Sequence, residues 1–385
     1  MAATEKERAS PLQALMTAAL ALPIAAIPAR AVAAEANEMG FTVLGYKEQG
    51  LMKVTEPVLW ARGTIHEVWE VEASAALDII SGASPQLVTN VSGRPVNAVS
   101  AASITDRRNT ADAKVTRRFG DFAVSVSRTV SDENDYNSRA FGLGAEWSLD
   151  QRNTTLAAGY GKSDDRVGSR DDPTLHERRD TREYLVGITQ VLSPLDIVQS
   201  TVTRAEGRGW YNDPYKLTFT FFDSGIPLLL PDTRPDHRDT LAWLTRYRRH
   251  FPAAHGSLQV DYRYYRDDWG IRAHTLEAAW EQSLGERWSV RPALRYYTQS
   301  AADFYSPVSP SSTPPAILSS DQRLGAWGGL SPSLRVAYRF ERGIRFEGTL
   351  GYVHNARELR FGGSGSEAFE TLRAVYGIVG VSYPF

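Results

Sequence analysis

The chain has 385 residues, 42% hydrophobic and 23% charged, with 43 basic against 45 acidic side chains and no cysteine. A bundle of membrane helices would need repeated apolar runs of about 18 residues or more, and none follows the N-terminal region. Near-neutral charge argues against a nucleic-acid footprint, and a chain without Cys has no disulfide, thiolate metal site or lipidated N-terminal cysteine.

Residues 1–33 read as an export signal. Positions 12–29 are Ala/Leu-rich and uncharged, and Ala31-Val32-Ala33 is a small-x-small cleavage pattern. Pro11, Pro23 and Pro28 argue against a spanning anchor. Residues 34–40 then form a short periplasmic lead, and 41–385 the barrel.

Past residue 40 the hydrophobic pattern has period two. A hairpin is predicted over 41–48 and 52–61 across Gln49-Gly50-Leu51, with Val54, Val58 and Trp60 alternating with Lys53 and Thr55. Further strands are predicted at 67–79, 109–119, 122–130, 138–148, 153–163, 181–191 and 196–206. The remainder lie at 239–249, 257–267, 273–282, 287–299, 322–340, 344–354 and 372–385. Phe141, Leu143, Ala145 and Trp147 alternate with Gly142, Gly144, Glu146 and Ser148. Leu258, Val260, Tyr262 and Tyr264 alternate with Gln259, Asp261, Arg263 and Tyr265. One face is apolar with aromatic ends and the other small or charged, as in barrels whose aromatic girdles meet the membrane interface.

The connections alternate as well. Those at 120–121, 149–152, 192–195, 284–286 and 341–343 are short; those at about 80–108, 164–180, 207–238, 300–321 and 355–371 are long. Short turns on one side and long loops on the other are the outer-membrane pattern, with the short side periplasmic. The reading is an all-β, transmembrane, antiparallel up-and-down β-barrel of sixteen strands in a Gram-negative outer membrane, its apolar face against lipid. The runner-up has fourteen strands, with 34–63 as a plug. The sequence sets no oligomeric state.

The last residues, Val381, Tyr383 and Phe385, share one face. This resembles the C-terminal recognition signal of outer-membrane barrels and implies engagement of the barrel-assembly machinery through the final strand. Four further segments carry a resemblance: 78–85, Ser131 to Tyr136, Asp213-Pro214-Tyr215-Lys216, and Arg295-Tyr296-Tyr297 through Asp303-Phe304-Tyr305. Through them the chain resembles a bacterial outer-membrane barrel family catalogued as domain of unknown function 3570. The resemblance implies the barrel and favours sixteen strands; it implies no activity.

Function is expected in the lumen. Glu70 and Glu72 on one strand, and Arg246, Arg248, Arg263, Arg291, Arg295, Arg335 and Arg339 on later ones, fall on the inward face. Guanidinium groups are always charged and donate in a rigid fork, so such a wall would attract phosphate or carboxylate solutes. The bland reading is that these arginines pair with inward carboxylates and only stiffen the wall. The leading expectation is a channel or transport component for small polar solutes, anionic ones among them. The alternative is a barrel occluded by loops 207–238 and 300–321, serving an envelope complex. A remote third is a hydrolase using Asp267, Asp268 and His274. The run Asp132-Glu133-Asn134-Asp135 offers oxygen ligands for Ca²⁺, with a solvated loop as the plainer reading. No enzyme activity, resident metal, cofactor or nucleic-acid partner is expected.

Overall fold

The computed structural model describes residues 37–82, 85–91, 94–99, 104–221, 227–309 and 314–385. The expected signal peptide at 1–33 and the start of the lead lie outside the described residues. The first strands are β1 (Glu38–Glu48), β2 (Met52–Ile65), β3 (Trp69–Gly82), β4 (Pro85–Val91), β5 (Arg94–Val99), β6 (Ile104–Phe119), β7 (Phe122–Asp132) and β8 (Tyr136–Leu149). Next come β9 (Thr154–Val167), β10 (Glu177–Ser193), β11 (Asp196–Gly209), β12 (Leu217–Phe221), β13 (Pro227–Pro231) and β14 (His237–Phe251). The last are β15 (Gly256–Asp267), β16 (Arg272–Leu284), β17 (Trp288–Gln299), β18 (Trp327–Arg339), β19 (Arg345–Ala356) and β20 (Leu372–Pro384).

Sixteen of them close into one antiparallel barrel, in the order β1-β2-β3-β6-β7-β8-β9-β10-β11-β14-β15-β16-β17-β18-β19-β20. The seam is β1 against β20, with Phe41 opposite Val381 and Tyr46 opposite Tyr376; the Phe385 N–H then donates to the Asn37 carbonyl. The N-terminal hairpin is therefore part of the wall, and no plug is formed from 34–63 among its described residues. At strand spacings of about 4.8 Å and tilts of about 40°, sixteen staves enclose a cylinder about 30 Å across between backbones.

Alternation decides which side chains face out. Val186 and Leu350 point outward, 67% and 69% exposed. An aromatic ring at the short-turn rim includes Trp69, Phe119, Phe122, Trp147, Trp288 and Phe346. A second ring nearer the long loops includes Phe141, Tyr160, Tyr184, Tyr262 and Trp243. Between them the outward positions are mostly aliphatic, with Ser200 and Thr245 in mutual hydrogen-bond contact, so this surface gains little from water and is suited to hydrocarbon. The short turns use residues that tolerate left-handed backbone, such as Gly120 at φ 66° and Gly285 at φ 65°.

Two differences from the sequence reading have physical causes. Val54, Val58 and Trp60 face inward, with Leu59 outward. Met52, Val54 and Ile80 form a small apolar cluster inside the wall, and Trp60 covers Gly40, where a Cβ would come within 2.5 Å of the indole. Period two therefore set the parity of this strand but not its hand, because each face mixes apolar with polar side chains. The strand expected over 322–340 begins only at Trp327; residues 322–324 form a 3-10 turn capped by Asp321, whose carboxylate accepts from the Arg323 N–H.

The long loops carry strands of their own. β12 and β13 form a hairpin between β11 and β14, β4 and β5 another between β3 and β6, and the four join as one sheet ordered β13-β12-β4-β5. The junction is a parallel bridge, Leu217 opposite Leu87. Along one side of the barrel β6, β7, β8, β9, β10 and β11 stand between the two hairpins. Their union therefore runs close to a diameter across the mouth.

Candidate functional site

The lumen is charged unevenly. Inward positions of β1–β3 and β6 carry Glu38, Glu48, Glu56, Glu70, Glu72, Asp78, Asp106 and Asp112 against Arg62, Arg108, Lys114 and Arg118. Inward positions of β14–β18 carry Arg238, Arg246, Arg248, Arg263, Arg291, Arg295, Arg335 and Arg339 against Asp261, Asp267, Glu277 and Glu281. In the closed order β2, β3 and β6 stand opposite β14, β15 and β16. An acidic arc thus faces a basic arc across the interior.

Every arginine and glutamate expected to line the lumen does face it, but they divide into two groups. Glu70 pairs with Arg118 at 2.5 Å and Glu72 with Lys114 at 3.2 Å. Arg246 and Arg248 both reach Asp261, Arg335 reaches Glu281 at 2.7 Å, and Arg291 reaches Glu277 at 3.4 Å. These pairs stiffen the wall, as the bland reading expected. Arg263, Arg295 and Arg339 have no ion pair among the described residues. Arg263 lies over the Tyr265 ring at 5.5 Å. Arg295 faces inward yet is solvent-exposed, so the interior beside it is wet. Arg339 is at the short-turn rim, opposite Arg345.

The mouth above this wall is covered. Loop 300–326 rests on the inward side chain of Gln299, whose Nε2 donates to the carbonyls of Arg323 and Gly325 at 2.9 and 2.7 Å. Loop 210–236 turns inward at Tyr211, which lies across Gly207 so closely that a Cβ there would be 1.8 Å from its hydroxyl. The two loops meet at Thr233 and Leu318. Trp269, Ile271, Ala302 and Leu324 form their shared apolar centre, with Tyr211, Tyr265, Phe304 and Tyr305 around it.

Charge holds the same junction. Arg234 donates to Asp232 at 2.6 Å and to Asp321 at 3.0 Å; Arg323 reaches Asp213 at 2.7 Å and also Asp321. Lys216 is buried beside them. Burial by itself would raise the Asp321 carboxyl, but Arg323, Lys216 and Arg234 reverse this and hold it well below the usual carboxylate range. Asp213 is held low in the same way, by Arg323 and Arg234. Burial lowers the Lys216 ammonium despite Asp321, and raises Asp232 despite Arg234.

Sequence reasoning named these loops as lids but missed the network. The signal was present: Asp232-Thr233-Arg234 and Asp321-Gln322-Arg323 are two Asp-x-Arg triplets in otherwise Pro-rich loops. Only their spatial pairing makes them one unit.

The proposed hydrolytic trio is not assembled. Asp267 faces inward and accepts from Arg238 at 2.7 Å. His274 faces outward, its Nδ1 2.8 Å from the Tyr262 hydroxyl. Period two places them on opposite sides of the wall. In the acidic run, Glu133 and Asp135 approach Asp106, their ligand atoms all within 4.8 Å of one another. Oxygen ligands of this kind suit a hard cation. Arg170 contacts Asp106, Arg108 lies 3.7 Å from Glu133, and the Tyr215 hydroxyl donates to Asp135, so protein groups already face the cluster.

A family model described as a protein of unknown function (DUF3570) matches residues 12–176 and 169–374. No curated protein matches the chain. Among solved structures, CdiB from Acinetobacter baumannii aligns at TM-score 0.54 and 7% identity, over 91% of this chain and 60% of that one. A bacterial polysaccharide outer membrane secretin aligns at 0.49 and 7%, over 92% of this chain and all (100%) of the other. OccK8 (OprE) from Pseudomonas aeruginosa aligns at 0.42 and 8%, over 90% and 97%. At such identities the likeness is one of fold, a closed β-barrel.

Proposed function

Because the chain belongs to the family described as Protein of unknown function (DUF3570), no activity comes to it from relatives, and we propose one from its geometry: a non-enzymatic outer-membrane channel for small polar, anionic solutes, closed at its long-loop mouth by a lid. Membrane placement is supported by the largely aliphatic belt between two aromatic rings. The observation that carries the channel reading is the pair Arg263 and Arg295. Both face the interior and neither is in an ion pair among the described residues, although Glu183 lies near Arg263 and Glu277 stands opposite Arg295 in register; Arg263 on β15 faces β3 of the acidic arc. An anion entering there meets two guanidinium forks not already engaged by carboxylates, and the field between the arcs orients it.

The test is conductance of the full chain in planar bilayers, with reversal potentials under a salt gradient. Anion-over-cation selectivity that is lost in the double variant Arg263→Gln, Arg295→Gln supports the proposal. A barrel that conducts without selectivity refutes the anionic preference.

The loop-occluded alternative is favoured by one observation, the sheet that joins opposite sides of the mouth. It predicts no conductance from the intact chain or from one whose loop network has been broken. Opening on breakage separates a lid from a permanent seal.

A further inference from the structure

The outer surface of the barrel carries, on β7–β10, a surplus of positive charge that lumen chemistry does not explain. From Tyr160 and Tyr184 toward the short-turn rim, the outward positions of β7–β10 hold no ionisable side chain other than the phenols of the aromatic row. Toward the long-loop rim the same strands present Arg128, Arg139, Lys162, Arg166, Arg178 and Arg182. Their outward acidic neighbours are Asp132, Asp164 and Asp180. Elsewhere on this rim the outward Arg204 and Arg208 of β11 pair with Glu206 and Asp239, Arg266 and Arg272 face each other across β15 and β16, and β17 and β18 present Thr298 and Gly328. What sets the strip on β7–β10 apart is its balance, six cations against three carboxylates.

Its internal pairing leaves a surplus. Lys162 alone reaches both Asp164, at 3.5 Å, and Asp180, at 3.7 Å. Asp132 accepts from the Asn137 amide at 2.6 Å. None of the five arginines has an ion pair among the described residues, and all five are exposed. The register also sets like charges face to face: Arg166 opposite Arg178, and Lys162 opposite Arg182. Like charges directly across a ladder are destabilising, and a bound anion relieves them. Above the strip a cleft of about 540 Å³ is lined by Arg166, Arg178, Asn134, Asn137 and His176. Its carboxylates are Asp135, which is engaged by the Tyr215 hydroxyl, and Glu177.

We propose that this strip and cleft bind the phosphate groups of phosphorylated lipid headgroups in the surrounding leaflet. Phe141, Tyr160 and Tyr184, in edge-on and tilted contact along the wall at 6.0 and 5.5 Å, mark the level where acyl chains give way to headgroups. The arginines begin at that level, where guanidinium forks meet phosphate oxygens while their stems cover the wall. The cleft is wide enough to seat a phosphorylated sugar. The proposal rests on the membrane placement above but not on channel activity.

The test uses the full chain, refolded in detergent and titrated with diphosphorylated lipid A or its dephosphorylated form, with bound lipid read by native mass spectrometry. The phosphorylated lipid is expected to be held at least about tenfold more tightly. The variant R128Q/R139Q/R166Q/R178Q/R182Q is expected to lose that preference while keeping heat-modifiable migration on gels. If it does not fold, R166Q/R178Q replaces it, with partial loss expected. Equal retention of the two lipids by the unaltered chain, or full preference in a folded variant, overturns the proposal. Inorganic phosphate at millimolar concentration should not displace the lipid; complete displacement overturns a lipid-borne ligand. Flotation with vesicles separates the premises: a chain that does not float fails the membrane placement, and one that floats without discriminating fails only the strip.

Discussion

Leu350 on the wall is 69% exposed, whereas Asp321 in the lid is 3% exposed. The wall turns its apolar side chains outward and keeps its charges beside an interior that water enters. The lid does the reverse: Asp213, Asp232, Asp321, Arg234 and Arg323 lie inside it, next to the apolar centre at Trp269 and Leu324. The wall depends on a surrounding apolar medium and on ladder hydrogen bonds. The lid, like a small soluble domain, depends on packing and on pairing every charge it buries.

The sharpest way to break this contrast is Asp321→Ala. It leaves Arg234, Arg323 and Lys216 facing two carboxylates in place of three, and removing one member of a buried pair costs about 3–5 kcal/mol. The loops should become protease-sensitive and conductance should rise, while the barrel keeps its heat-modifiable migration. Next in size is Leu350→Arg, which puts a cation on the outward belt at a cost of about 2–4 kcal/mol. Equilibrium unfolding in vesicles should show the loss, and loop proteolysis should not change. A smaller effect is expected from Arg263→Glu with Arg295→Glu: anion selectivity should reverse by roughly tenfold in permeability ratio, about 1.4 kcal/mol per tenfold, with lid and wall intact.

The smallest expected effect is none at all. Asp321 and Asp213 have folded pKa values below their unfolded ones. Their contribution is complete above the ordinary carboxylate value near about 4 and is lost only as pH falls through the depressed folded values. Asp321 and Asp213 should therefore add no pH dependence to lid closure between about pH 5 and 8, read as open probability in bilayers, and any change there belongs to the raised Asp232 or the lowered Lys216. A lid that opens within that window would show that Asp321 and Asp213 do not govern it.

The wall was legible because one rule, alternation, is written on every stave. Phe141 to Trp147 and Leu258 to Tyr264 each declare an outward face, and the short and long connections declare the two rims. Legibility failed where the rule lost contrast. At Val54 to Trp60 each face mixes apolar with polar side chains, and the choice was made by packing with Met52 of the same strand and with Ile80 and Gly40 on neighbouring strands. The lumen candidates could be placed but not sorted, because period two says that Arg263 and Arg248 both point inward and not that Asp261 sits beside only the latter. The lid was least legible. Its strands are five residues each for β12 and β13, and its contacts join residues far apart in the chain, such as Asp213 with Arg323, 110 positions on.

The bridge of Leu217 to Leu87 has a consequence for the order of assembly. Its two halves are carried by hairpins on separated staves, so neither can find the other until the strands between them have joined. Contacts of such long sequence separation form late. The growing cylinder is thus unsealed for most of its maturation, and shielding of these segments from an external protease would serve as a clock for its final step.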